Sequence, residues 1–465
     1  MFFRQVLHRD LGCASYVIAD DRVAAVVDPK WEVEDYLGLA AENGFEIRHV
    51  LGTHNHADHV SGRGRLAAAT GATVHVSPTP GLAYAHEVLA DGDELTLGSV
   101  RIVALATPGH RPEHTAYLVH DDARGGEPWA VLTGDSLFVG DVARPDLAVE
   151  AEEGARELWN TLQRLLSLPD HVQVLPGHLG GSLCGSASMS EAPASTIGFE
   201  RRFNPLLQAA GADELAARLT AGLKPQPPNF RRIVALNSGP LLVEAAALEA
   251  LPPHEVAALV DDGVVVIDGR EPAAWAAAHV PGSLNATMVR AAVGSRAAAA
   301  VDPESPVVVA SESDEDARDM ARRLEAVGFR QVVGILAGGI DAWQAAGLPL
   351  ESIESVPVPE LAQRLRAQDV LLLDVRDPDE WADGHVPGSL LVPYQQLRED
   401  AALERVRAAV DGTPLAVACS AGNRAALAAS LLRRAGVHRV IHVAGGGIAD
   451  LEYHDIDLIE EAPQR

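Results

Sequence analysis

The sequence predicts an α/β protein of three domains. A long first domain spans residues 1–245, and two tandem copies of a small, doubly wound α/β domain follow at 250–352 and 358–465. Three observations lead there. The chain has 465 residues, and at about 150 residues per domain that suggests about three domains. Apolar residues make up 47% and charged residues 22%, enough to bury several cores, which excludes a disordered or fibrous chain. The third observation is an internal repeat. Val264–Leu284 reads VVVIDGREPAAWAAAHVPGSL and Val370–Leu390 reads VLLLDVRDPDEWADGHVPGSL, an offset of 106 residues. Two further pairs follow at offset 108: VVVAS ending at Ser311 against LAVAC ending at Cys419, and Gly338-Gly339-Ile340 against Gly446-Gly447-Ile448. In each copy β-branched runs alternate with Ala/Leu/Arg-rich helical stretches, such as RAALAASLLRRAG from Arg424. That alternation reads as a parallel sheet with helices on both faces.

The first domain is too long to be another copy. It opens on the strand-like pieces ASYVIAD and VAAVVD and continues with short apolar runs that end in His-containing turns. The Pro-rich segments LKPQPPNF (223–230) and ALPPHE (250–255) mark the transition, and SIESVPVPE (352–360) links the two copies. With 37 Lys and Arg against 65 Asp and Glu, the net charge is −28. So acidic a chain disfavours nucleic acid and anionic membrane as partners, because both require a basic face. No run of 18 apolar residues occurs, and the first residues lack the apolar stretch of a signal peptide. Three cysteines, Cys13, Cys184 and Cys419, cannot form a disulfide framework. A reducing, cytoplasmic setting is therefore expected, and homo-oligomerisation is left open.

Thr53–Gly62 reads THNHADHVSG and follows a strand-like run, which sets His54, His56, Asp58 and His59 in one loop. Three imidazoles and a carboxylate so close together can form the inner ligand sphere of divalent metal ions. His110, Asp135 and His178 close the later runs VALATPGH, WAVLTGD and VQVLPGH, each directly after a glycine. These are strand C-terminal ends, where layered α/β folds gather their sites. An isolated His such as His75, His86, His114 or His120 reads as an ordinary surface or satisfied residue. Packing gives no such reason for the set of seven.

The pattern H-x-H-x-D-H followed by TPGH, TGD and PGH resembles the metallo-β-lactamase superfamily over nearly all of residues 1–245. The resemblance implies an αββα sandwich of two mixed sheets with metal at one edge. Among its members, glyoxalase II-like thioesterases would place His54, His56 and His110 on one zinc, Asp58, His59 and His178 on a second, and Asp135 between them. Two Zn and thioesterase activity therefore stand as the alternative. The THxHADHxSG loop, the GDxLFVGDxxRPDL run and the GSxCG run resemble the persulfide dioxygenases. That family implies one Fe(II) per chain on His54, His110 and Asp135, a two-His, one-carboxylate triad with open positions. His56, Asp58, His59 and His178 would then support the ligands or form a second site. Ala143 stands where many members of that family have Gly. Cys184 reads either as a small buried residue or as a thiol handling sulfur beside the iron. Cys13 reads as structural. Arg201, Arg202 and Asn204 read as an ordinary surface set or as the lining of the substrate mouth.

The repeated frame D-x-R-[DE]-P-x-x-W-x-x-x-H-V-P-G-S-L resembles the rhodanese homology domain. In the last copy, LAVACSAGNRAALAASLL puts Cys419 at the end of a strand and Arg424 at the start of a helix. The loop from Cys419 to Arg424 would curl its N–H groups around the sulfur at the positive end of that helix, which favours a thiolate nucleophile. Gly422 suits the tight turn. Four residues between Cys and Arg point to sulfur transfer, since phosphatases of this fold carry one more. In the middle copy Ser311 and Asp316 replace Cys419 and Arg424, inside the acidic loop SESDED, so that copy reads as catalytically silent. The domain order resembles the fused persulfide dioxygenase-sulfurtransferases. It implies oxidation of a low-molecular-weight thiol persulfide, such as glutathione persulfide, by dioxygen to sulfite. Cys419 would then pass sulfane sulfur to sulfite to give thiosulfate, in sulfide and persulfide detoxification. A purely regulatory role for the rhodanese pair sits poorly with the complete ligand set.

Overall fold

The computed structural model describes residues 1–460 apart from 181, 183, 186–188, 222, 224, 290 and 291. The chain divides into two compact units, 1–245 and 246–465.

The first unit contains two six-stranded mixed sheets. In one, Phe2–His8, Cys13–Asp20 and Val23–Val27 form an antiparallel meander, and Glu46–Leu51, Thr73–Val76 and Glu87–Val88 continue it in parallel. In the other, Ser195–Thr196, Gln173–Pro176, Pro128–Gly134, Thr115–Asp121, Val100–Ala106 and Glu94–Leu97 are neighbours in that order. Only the Pro128–Gly134 and Gln173–Pro176 pair of that sheet is parallel. Strand side chains alternate between faces, so Tyr16 and Ile18 enter the core between the sheets while Val17 points to the opposite face. From the second sheet Ile102, Tyr117, Val119 and Leu132 meet them. The outer face of the first sheet (Val17, Val26, Val50) is covered by Tyr36 of helix Glu34–Asn43 and Leu66 of helix Arg63–Thr70. The outer face of the second (Ala116, Val131, Val174) is covered by helix Ala151–Leu166. Leu158, Leu162 and Leu165 of that helix recur at helical spacing and form its buried stripe. The result is the four-layer αββα sandwich. The residues after Glu46–Leu51, Val100–Ala106, Pro128–Gly134 and Gln173–Pro176 carry the seven His and Asp residues.

The second unit contains two five-stranded parallel sheets of identical order. The first runs Ala250–Leu251, Val332–Leu336, Val307–Ala310, Val265–Asp268, Leu284–Asn285. The second runs Glu354–Pro357, Val440–Ala444, Leu415–Ala418, Leu371–Asp374, Leu390–Leu391. In the first, Val308 and Ala310 pack on Val256 and Trp343 on one face, while helix Asp314–Ala326 lies against the other. The repeated frame turns out to be structural. Its Asp and Arg form the buried ion pairs Asp268–Arg270 and Asp374–Arg376, both 2.7 Å. Its Trp and His stack, Trp275 on His279 at 4.2 Å and Trp381 on His385 at 3.8 Å between ring centroids. The copies are in contact: Asn285 donates its backbone N–H to Ser430 Oγ (3.3 Å), and the Arg398 guanidinium donates to the Ala298 carbonyl (3.2 Å). Among the described residues no helix is long and apolar enough to cross a membrane.

Candidate metal centre and sulfur site

Three buried ligand atoms converge in the first unit: His54 Nε2, His110 Nε2 and Asp135 Oδ2, all within 4.8 Å of one another. His54 Nε2 lies 3.9 Å and His110 Nε2 3.5 Å from Asp135 Oδ2. None of the three atoms has a hydrogen-bond partner. Three bare, buried polar atoms are costly unless something binds them, so the set fits a metal ion held between them. The opposite atom of each residue is occupied. Thr53 donates its hydroxyl to Asp28 Oδ2 (2.6 Å), so its oxygen accepts from His54 Nδ1 (2.9 Å). His110 Nδ1 donates to the Arg144 carbonyl (2.9 Å), and His178 Nδ1 donates to Asp135 Oδ1 (2.7 Å). These bonds fix the tautomers so that each Nε2 presents a lone pair inward. Burial, reinforced by the imidazoles of His56, His114 and His110, holds His54 well below the usual histidine range. Burial also lowers His110. Neutral imidazoles are what a metal requires. Burial opposes ionisation of Asp135, yet the His178 charge and hydrogen bond outweigh it and keep the carboxylate ionised.

Two glycines make the geometry fit. A Cβ at Gly177 would fall 2.6 Å from Asp135 Oδ1, so only glycine leaves room for the carboxylate. Gly134 has φ of +49° and a Cβ there would fall 2.7 Å from His114 Nε2. That nitrogen accepts the Asp135 backbone N–H at 2.8 Å. His114 is thus a positioning residue, with its pKa pushed down to about 4, by burial first and His110 second.

The remaining residues of the set are bonded mostly to one another. His178 Nε2 lies 2.9 Å from Asp58 Oδ2, and His59 Nδ1 lies 3.1 Å from the same oxygen. His56 Nε2 lies 3.0 Å from Asp28 Oδ1 and its Nδ1 4.0 Å from Asp58 Oδ1, but neither ring nitrogen nor Asp58 Oδ1 has a hydrogen-bond partner. Cys13, read from the sequence as structural, lies against this cluster. Its Sγ lies 3.2 Å from both Asp58 Oδ2 and His178 Nε2 and 3.8 Å from His59 Nδ1. Cys184 also reaches the centre, its sulfur within 4.8 Å of ligand atoms of Asp135 and His178. Burial pushes the Cys184 thiol well up, and Phe138, Ala143 and Met189 pack around it. The side chains of Arg201, Arg202 and Asn204 have partners outside the metal cluster. Arg201 bonds Asp170 and the Leu168 carbonyl, Arg202 lies over the Phe203 ring, and Asn204 bonds Glu200. Thr53, Asp28 and the Arg144 carbonyl were not singled out as site groups from the sequence. Their only signal was adjacency to the motif at THNHADH, VVDP and GDVARP.

In the last domain Cys419 follows strand Leu415–Ala418 and is 2% exposed. Gly422, at φ +87°, donates its N–H to Cys419 Sγ at 3.1 Å and caps helix Asn423–Arg434. Arg424 is held bidentately by Glu380 (2.6 and 2.7 Å) and bonds Ser420 Oγ (3.0 Å). In the middle copy Ser311 Oγ has Met288 Sδ at 3.9 Å. There the helix N–H of Asp316 is taken by Ser313 Oγ at 3.1 Å. The counterparts of Arg424 and Glu380 are Asp316 and Ala274, so both halves of the ion pair are absent.

This fold and buried His/Asp cluster define a metal-binding domain, followed by one complete and one depleted sulfur-loop domain. Residues 8–178 match the metallo-β-lactamase superfamily, and residues 252–346 and 357–451 match the rhodanese-like domain. The first domain thus has the metallo-β-lactamase fold, and two rhodanese-like domains follow it. A hydroxyacylglutathione hydrolase of Methylococcus capsulatus is 38% identical over 140 residues, 29% of this chain and 49% of that protein. The match thus spans about half the length of that relative, and 62% and 56% of two further hydroxyacylglutathione hydrolases. An uncharacterized protein of Mycobacterium leprae is 32% identical over 227 residues, 43% of this chain and 94% of that protein. The metallo-β-lactamase structure from Staphylococcus aureus aligns with TM-score 0.64 at 24% identity, over 72% of this chain and 99% of that one. The structure of ETHE1 from Myxococcus xanthus aligns with TM-score 0.45 at 31% identity, over 51% of this chain and 98% of that one.

Proposed function

We propose that the first domain is a persulfide dioxygenase carrying one Fe(II) on His54, His110 and Asp135, and that the last domain is a sulfurtransferase acting through Cys419. The observation that carries the reading is the contrast within the His/Asp set. His54, His110 and Asp135 each turn one bare atom to a common point, whereas in the rest of the set Asp58 Oδ2, His59 and His178 are bonded to one another and to Cys13, and only His56 and Asp58 Oδ1 are bare. That favours one ion over two. Two imidazoles and a carboxylate suit Fe(II) and leave positions for a thiolate and dioxygen. The iron would supply oxygen activation beside its target sulfur. The chain's own residues hold the ligand tautomers, bury the centre and keep the Asp135 carboxylate ionised. The balanced reaction is R–S–SH + O2 + H2O giving R–SH + sulfite + 2H+, four electrons passing from sulfur to dioxygen.

In the last domain Cys419 would attack the sulfane sulfur of a persulfide, releasing R–SH. It would then yield that sulfur to sulfite as thiosulfate, with the Gly422 N–H supporting sulfur at the loop. The silent copy lacks the thiol, the Arg and its Glu partner. The dizinc thioesterase remains the second reading, favoured by the presence of all seven ligand residues and by the hydroxyacylglutathione hydrolase relatives. Oxygen uptake and sulfite formation on adding glutathione persulfide test the proposal. Asp135→Ala is expected to abolish both, and fast hydrolysis of S-lactoylglutathione without oxygen uptake would overturn it.

A further inference from the structure

In the two-ion arrangement of the glyoxalase II-like members, a second metal ion would sit where Asp58, His59 and His178 can all turn a ligand atom toward it. That position lies at Cys13 Sγ, 3.2 Å from Asp58 Oδ2, 3.2 Å from His178 Nε2 and 3.8 Å from His59 Nδ1. Metal bonds to nitrogen and oxygen are about 2.0–2.2 Å long. An ion drawn that close to these donors would overlap the sulfur atom unless the sulfur itself became a ligand. The side chain has little freedom to withdraw. Cys13 pairs with His178 in an antiparallel bridge. Ala14 N–H donates to the Gly177 carbonyl (2.7 Å) and Leu179 N–H to the Gly12 carbonyl (2.8 Å). Gly12 just before it is at φ +69°, a turn that feeds the strand directly into this bridge. The residue is 7% exposed.

We propose that Cys13 sets the metal stoichiometry of this centre: its thiol fills the second-ion position, so that a complete seven-residue His/Asp set loads one ion. The inference rests on the one-metal reading above. The thiol acts as a space-filling, hydrogen-bonded plug. It donates toward Asp58 Oδ2 and completes a network in which His178 already spends Nδ1 on Asp135. Removing the sulfur would free the common point of Asp58, His59 and His178 without touching His54, His110 or Asp135.

The test measures metal per chain on the full protein, purified without oxygen, loaded separately with Fe(II) and Zn(II), desalted and assayed by elemental analysis. Wild type is expected to hold about one ion. Cys13→Gly is expected to rise to about two with Zn(II), and adding Asp58→Ala in that background should return it to about one. Cys13→Val keeps the bulk and removes the donor, so it should stay at about one. Circular dichroism and thermal unfolding report that each variant is folded. If folded Cys13→Gly stays at one ion, the plug is refuted while the one-metal reading stands. If Cys13→Val loses metal, the thiol is a ligand and the proposal is wrong. If wild type already holds two ions, the functional reading fails as well.

Discussion

Thr53→Val removes one hydroxyl and retains the side-chain shape. In the native centre that hydroxyl donates to Asp28 at 2.6 Å and accepts from His54 Nδ1 at 2.9 Å, so it fixes the tautomer that leaves His54 Nε2 bare. Asp28 keeps the Thr53 backbone N–H at 2.8 Å, so the loop stays anchored and the loss falls on the ligand. Removing a group that orients a metal ligand costs about 10–100-fold in metal affinity, or about 1.4–2.7 kcal/mol. The assay is anaerobic competition for Fe(II) against a chelator of known affinity, with Tm followed to report the fold. Weaker Fe(II) binding in this range, with the αββα domain still folded, is expected. Unchanged affinity would refute the argument that the Asp28–Thr53–His54 chain sets the ligand.

Gly177→Ala sets a methyl where a Cβ lies 2.6 Å from Asp135 Oδ1, so metal content should fall well below that of wild type, read by elemental analysis. Cys419→Ser is expected to abolish thiosulfate formation and leave persulfide-dependent oxygen uptake, with free sulfite as the product. Ser311→Cys in that background should not restore transfer, because the loop SESDED is acidic and no Arg–Glu pair is present. Burial opposes ionisation of Glu380, but the Arg424 hydrogen bonds outweigh it and lower its pKa below the ordinary 4.5. A carboxylate with a depressed folded pKa contributes stability above its ordinary value and loses it as pH falls through the folded value. Glu380→Gln should therefore lower Tm at neutral pH, and its gap to wild type should close as pH falls from 4.5 through the lower folded value.

The αββα layers came from the resemblance carried by the His/Asp motifs. The two parallel sheets were legible because the repeat and its strand–helix alternation are local signals. The seven His and Asp residues were legible for the same reason, since density within one loop and a Gly before each later ligand survive in one dimension. Cys13 was not, because what brings it to the centre is a bridge to His178, 165 residues away in sequence. The Arg424–Glu380 pair was missed likewise: its partners sit 44 positions apart on different helices. The stacking of the Trp and His of the repeated frame in both copies shows that they hold the fold. The Ser313 cap of the middle copy was not legible, because it depends on where the helix starts, one position earlier than in the last copy.

The most direct measurement of the central claim is metal content together with oxygen consumption on the same anaerobically purified protein. About one iron per chain is expected, with oxygen uptake on adding glutathione persulfide and sulfite that appears as thiosulfate while Cys419 is intact. Two tightly bound zinc ions per chain, with no oxygen uptake and rapid thioester hydrolysis, would contradict it.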